Sequence, residues 1–119
     1  MPDKHRIYSM PVSGVWPAYV NKLLRKGRTE DELIQVVRWL TGYDKRKLTS
    51  VLKKGTDLET FFAEAPQMNP DRVLITGSIC GVRVEEIKEP TMQAIRYLDK
   101  LVDELAKGRP MERVLRSAG

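Results

Sequence analysis

Apolar positions recur at helical spacing through most of this chain, and the breaks between the periodic segments fall on Gly and Pro. Leu33, Val36, Val37 and Leu40 repeat with the three-four rhythm of one helix face. Thr29 and Glu32 stand ahead of them as a capping box, and Gly42 closes the run. Asp44 is placed to cap the next helix, whose apolar face is Leu48, Val51 and Leu52 and whose stop is Gly55. Upstream, Trp16, Val20, Leu23 and Leu24 mark a face that begins at Pro17, a residue suited to a first helical turn, and ends at Gly27. Downstream, Thr56 with Glu59 predicts a second capping box leading into Leu58, Phe61 and Phe62, which Pro66 terminates. The longest period opens at Pro90, carries Met92, Ile95, Leu98, Val102 and Leu105, and closes at Gly108. Pro110 then starts a short last helix with Met111, Val114 and Leu115.

One stretch does not settle. From Asn69 as cap and Pro70 as first helical residue, Val73 to Cys80 is apolar on nearly every side, which suits a fully buried helix stopped by Gly81. The same residues fit a hairpin of two short strands turning at Gly77-Ser78. Taken as a helix, residues 72–87 repeat the device of residues 32–52: apolar helix, glycine, second helix, with Leu48 and Ile87 each six positions past the glycine. The units lie 39 residues apart and share little else, so duplication has weak support. The expectation is an all-α domain of seven or eight helices over 13–119 with two helix-turn-helix-like units and a possible short hairpin at 73–84. Residues 1–12, aperiodic and with two prolines, read as an extended arm.

The 119 residues suffice for one hydrophobic core. No apolar run approaches the roughly 20 residues of a membrane span, and the N-terminus lacks the apolar block of a signal peptide, so the expected location is cytoplasmic. A single cysteine excludes an internal disulfide and a cysteine-based structural zinc site. Charge changes the picture more. Residues 1–54 hold 12 Lys/Arg against 5 Asp/Glu, a net +7; residues 55–119 hold 9 against 11, a net −2. A basic half points to an anionic partner, to head-to-tail association, or only to solubility.

Candidate chemistry is sparse. Lys45, Arg46, Lys47, Lys53 and Lys54, with Thr49 and Ser50 between, would make the second helix of the first unit a nucleic-acid-binding helix, extended by Lys22, Arg25, Lys26 and Arg28. Against a repeated role, the second unit presents Glu85 and Glu86 after its glycine. Cys80 is a nucleophile by type, but the only histidine is the distant His5, and a buried structural thiol is the plainer reading. Gly77 and Gly81 lack the Gly-Lys-Ser/Thr ending of a phosphate loop and read as helix-packing and cap glycines. Asp99 and Asp103, with Glu104 and Arg96 nearby, have a spacing that a divalent metal or acid-base chemistry could use. Ion pairs Lys100–Glu104 and Asp103–Lys107 on a solvated face account for the same residues. Among the aromatics, Trp16 belongs to the core, while Tyr8, Tyr19 and Tyr43 are surface candidates beside Trp39. The polar, proline-stiffened loop Glu64–Arg72 is a candidate contact site or a plain connection.

The strings KHRIYSM, WLTGY, TFFAEAPQMNP, ITGSICGVRVEEI and IRYLDKLVDELAKG resemble the bacterial domain-of-unknown-function 2200 family over nearly the whole chain, from about Lys4 to Arg116. That resemblance implies a bacterial single-domain protein and carries over no catalytic residue, metal or cofactor. The functional expectation is a non-enzymatic protein-interaction module that binds an unknown protein or itself. The alternative is DNA or RNA binding through residues 44–54. An enzyme acting through Cys80 or Asp99/Asp103 ranks third.

Overall fold

The fold is arranged around the helix α5, Pro90–Ala106, whose 17 residues extend about 25 Å. The computed structural model describes residues 6–117. Before α5 come α1 (Val12–Leu24), α2 (Glu30–Thr41), α3 (Lys45–Lys54) and α4 (Leu58–Ala63). A two-residue-per-strand hairpin, β1 (Ser78–Ile79) and β2 (Val82–Arg83), follows, and α6 (Met111–Val114) comes after α5. Three 3-10 turns, at Arg6–Ser9, Pro70–Leu74 and Val84–Glu86, complete the described chain. Six α-helices and these turns make a largely helical domain, short of the seven or eight helices expected.

Periodicity explains the centre. α1 and α2 pack on each other and on α5, and α4, α6 and the hairpin cover the remaining sides of α5. Leu33, Val36, Val37 and Leu40 of α2 and Ile95, Leu101 and Leu105 of α5 are fully enclosed. Burial of such side chains contributes roughly 1.5–3 kcal/mol each, which is what holds helices this short. The Thr29–Glu32 capping box forms as expected: the Thr29 hydroxyl accepts from the Glu32 amide at 3.3 Å, and the Glu32 carboxylate accepts from the Thr29 amide at 3.2 Å.

Four expectations are corrected first. The segment before α1 is a packed part of the domain: Tyr8 and Val12 are buried, the Leu58 amide donates to the Met10 carbonyl, and the Val12 amide donates to the Thr56 carbonyl. Residues 1–5, including His5, lie outside the described residues. These ties start α1 at Val12, so Pro17 stands inside the helix, on its exposed side. Leu24, assigned to the apolar face, is 58% exposed. The second capping box is shifted by one: Asp57 is the cap, its carboxylate accepting from the Thr60 amide at 2.7 Å, because a carboxylate one residue later outcompetes the Thr56 hydroxyl.

The largest correction concerns residues 73–84. No α-helix runs there, and the second helix-glycine-helix unit does not exist. Pro70–Leu74 is a single 3-10 turn with Val73 and Leu74 exposed, while Ile75 and, past the hairpin, Val84 are fully enclosed. Gly77 takes φ 109°, outside helical space. The chain then reverses at Cys80-Gly81, not at Gly77-Ser78. Ile79 pairs with Val82, and both turn residues have positive φ, 54° and 80°, the geometry of the primed two-residue hairpin turns. The hairpin is anchored to α5 by the Lys100 ammonium on the Ser78 carbonyl at 3.2 Å. Just beyond it, the Gln93 amide donates to the Val84 carbonyl at 3.0 Å.

Candidate functional site

The placement of α3 is fixed at the C-terminus of α2, where every freed carbonyl finds a donor. The Thr41 hydroxyl donates to Val37, the Gly42 amide to Arg38, and the Asn69 side chain to Trp39. The Asn69 and Gln67 amides donate to Leu40 and Thr41, at 2.9 and 3.0 Å. The loop Glu64–Arg72 is thus the clamp that ends α2. Gly42 takes φ 80° beneath it, and a Cβ there would lie 2.9 Å from the Gln67 backbone nitrogen and oxygen. Tyr43 turns inward, stacks on Phe61 with ring centres 4.7 Å apart, and donates to the Phe61 carbonyl. The chain therefore leaves the turn at one fixed angle. Asp44 then caps α3, accepting from the Lys47 amide at 2.7 Å.

α3 buries Leu48 and half-buries Ser50, Val51 and Leu52, packing on α1, and presents its other residues to solvent. Lys45, Arg46, Lys47, Lys53 and Lys54 are all exposed, and among the described residues none makes an ion pair. Arg46, Thr49, Ser50, Lys53 and Lys54 fall at helical spacing and line one shallow trough. A neighbouring hollow of about 280 Å³ lies between α3 and the loop, with Lys47, Lys54, Ser50, Glu64 and Pro66 in its wall. No acidic residue stands in the first turn of α3, where Lys45, Arg46 and Lys47 face the positive end of the helix dipole. The Asp44 carboxylate, the cap one residue before them, already meets that positive end through the Lys47 amide and offsets the placement.

The predicted extension of this patch does not form as one surface. Lys22 is paired with Asp103 at 3.2 Å and Arg28 with Glu32 at 2.7 Å. Arg25 and Lys26 remain exposed, but at the far end of α1, about 20 Å of helix from where its start meets the exit of α3.

The other candidates resolve into structure. Cys80 is exposed, not buried, because it sits at the hairpin tip; the Arg96 guanidinium lies 3.7 Å from its sulfur. Asp99 is held by the Tyr19 hydroxyl and by Arg96 at 2.8 Å, and Asp103 by Lys22 and Lys107. Burial works to raise the Asp103 pKa, but hydrogen bonds from Lys107 and Lys22 outweigh it and hold the carboxyl below the usual range. Glu104 does not pair with Lys100. It is buried and accepts two bonds from Arg116, at 2.6 and 2.7 Å, with Arg109 at 3.2 Å. Among the described residues no three His, Cys, Asp or Glu side chains converge as metal ligands. Tyr8 and Tyr43 are core residues and Tyr19 is half-buried, so of the aromatics named as surface candidates none stands free.

Sequence reasoning missed two features. Glu64, read only as the start of a loop, shares a hollow with Lys47 and Lys54 of α3. A hollow of about 230 Å³, lined by Phe62, Met68, Arg72, Thr91, Gln93 and Tyr97, opens at the start of α5. Its residues come from separate segments, and no local pattern joins them. Burial raises the Tyr97 pKa, with Arg72 opposing. Among the described residues no helix is long and apolar enough to cross a membrane.

Comparison with known proteins adds kinship without chemistry. The family model described as "Uncharacterized protein conserved in bacteria (DUF2200)" matches residues 6–116. The chain is similar to the crystal structure of uncharacterized protein SP1917, at 43% identity and a TM-score of 0.88, over 97% of this chain and 94% of that one. No curated protein matches it.

Proposed function

Since the chain belongs to the DUF2200 family of uncharacterized bacterial proteins, whose description assigns no activity, we propose from the α3 surface that it is a non-enzymatic binding module for nucleic acid. One observation carries this reading: five exposed cations on a ten-residue helix, none of them in an ion pair among the described residues. Packing does not require them, since α3 is held by Leu48, Val51 and Leu52. A concentration of like charge that forms no ion pair in the fold is expected at a working surface. Phosphate is the anion that such patterns meet repeatedly along one partner.

The test is reversal of Lys45, Arg46 and Lys47 to Glu. The unaltered protein is expected to bind labelled nucleic acid and to stay on a heparin column near physiological salt. The triple variant is expected to lose both while its melting temperature rises, because glutamates suit that end of the helix. Retention unchanged by the reversal, or absent from the start, refutes the reading.

A second reading, association with a protein or a second copy, draws on the exposed Val73 and Leu74, 62% and 40% accessible. It predicts a concentration-dependent dimer in sedimentation that Val73→Glu abolishes. A monomer at high concentration removes the self-association form.

A further inference from the structure

We infer that the partner of α3 is duplex DNA in its B form, with the helix laid across the major groove; this rests on the nucleic-acid reading above and makes it narrower. The cations of α3 form two clusters rather than a uniform stripe: Lys45, Arg46 and Lys47 at one end, Lys53 and Lys54 at the other. The cluster centres are seven to eight residues apart, about 11 Å along the axis. The major groove of B-DNA is about 12 Å wide and admits an α-helix. Its two edges are lines of phosphate, so the end clusters meet one edge each. Thr49 and Ser50 lie between the clusters in the same trough as Arg46, Lys53 and Lys54. Thr49, whose hydroxyl donates to the Lys45 carbonyl at 2.9 Å and so can only accept from a base, and the half-buried Ser50 are short enough to let the helix backbone approach the groove floor.

Two other observations separate duplex DNA from its rivals. Single strands are held by stacking on exposed aromatics, and α3 has none: Tyr43 is buried against Phe61 and Trp39 is half-buried. Duplex RNA presents a deep, narrow major groove that a helix cannot enter. Glu64, beside Lys47 and Lys54 in the adjoining hollow, opposes phosphate at one flank and limits the footprint to the trough.

The deciding experiment uses the full chain and three labelled probes of equal length: a duplex DNA, the duplex RNA of the same sequence, and the single DNA strand. Anisotropy is followed from 50 to 200 mM NaCl. Duplex DNA is expected to bind at least about tenfold tighter than the others, with a log-log salt slope near about −4.5 for five phosphate contacts, about 500-fold over that range. Arg46→Gln and Lys53→Gln are each expected to lower the slope by about 1, with Arg46→Lys restoring it. The pair Arg25→Gln and Lys26→Gln is expected to leave it unchanged. Equal binding of single strand or duplex RNA overturns the groove placement and leaves the nucleic-acid reading standing. Binding that persists with slopes insensitive to the α3 variants overturns the placement too. No binding to any probe overturns both.

Discussion

Replacing Gly42 by Ala probes the device that aims α3. Two separable penalties are expected. An L-residue at φ 80° costs roughly 1–2 kcal/mol relative to glycine. The added methyl also meets the Gln67 backbone at 2.9 Å, a distance that real Cβ atoms do not tolerate. The loop cannot withdraw freely, because the Gln67 and Asn69 amides satisfy the Thr41 and Leu40 carbonyls. Moving it leaves at least one buried carbonyl unpaired, at about 1–3 kcal/mol. The sum is about 2–5 kcal/mol, a large part of the roughly 5–15 kcal/mol that holds a domain together. At about 4 °C per kcal/mol for this size, a loss of 3 kcal/mol lowers Tm by about 12 °C. Gly55 supplies the internal control: it also has positive φ, 69°, but a Cβ there meets nothing within 4 Å. Urea denaturation of both variants isolates the contact. Gly42→Ala is expected to lose at least about 1 kcal/mol more than Gly55→Ala. Equal losses would falsify the view that the loop seals α2.

Three further outcomes are expected. Arg116→Ala leaves the buried Glu104 with only Arg109 and lowers stability by about 3 kcal/mol in chemical denaturation, whereas a change under about 1 kcal/mol contradicts the pair's role. Stability falls above about pH 10: burial, then the hydrogen bond to Glu89, pushes the Tyr8 pKa up to about 12, and burial with Asp99 raises that of Tyr19. Both groups stay neutral in the fold while ionising freely when unfolded, so their contribution is intact below pH 10 and falls as pH rises, that of Tyr8 being lost through about 12; a flat profile between pH 10 and 12, by urea midpoints, counts against it. Cys80 reacts with a thiol reagent in the native protein at the rate of an exposed thiol, and protection until denaturation argues against its place at the hairpin tip.

Where the chain repeats at helical period, its pattern is enough to predict the element. α2 and α5 carry their apolar faces over three or more turns, so burial and local propensity agree, and Thr29, Gly42 and Gly55 mark the ends by chemistry that acts within four residues. Residues 73–84 fail for the opposite reason. Val73, Leu74, Ile75, Ile79 and Cys80 have no period, and their apolar character does not say which are covered; the assembled core takes in Ile75 and leaves Val73 and Leu74 outside. The site divides the same way. The cations of α3 are legible because one helix holds them all. The neutralisation of Lys22 by Asp103, 81 residues away, and the approach of Glu64 are not, since only folding brings those groups together.

The sequence by itself determined that this is a largely helical domain, where α2, α3 and α5 lie, and that one short helix carries an unbalanced positive charge. Period, caps and charge are local properties, written within one or two turns of chain. Tertiary structure decided which cations remain unpaired, that Tyr8 and Tyr43 are core, that the chain near Cys80 turns as a hairpin, and that the loop Glu64–Arg72 ends α2 and so sets the angle of α3. Each of these depends on groups distant in the chain competing for the same surface or the same hydrogen bond, and that competition is settled only when the core closes.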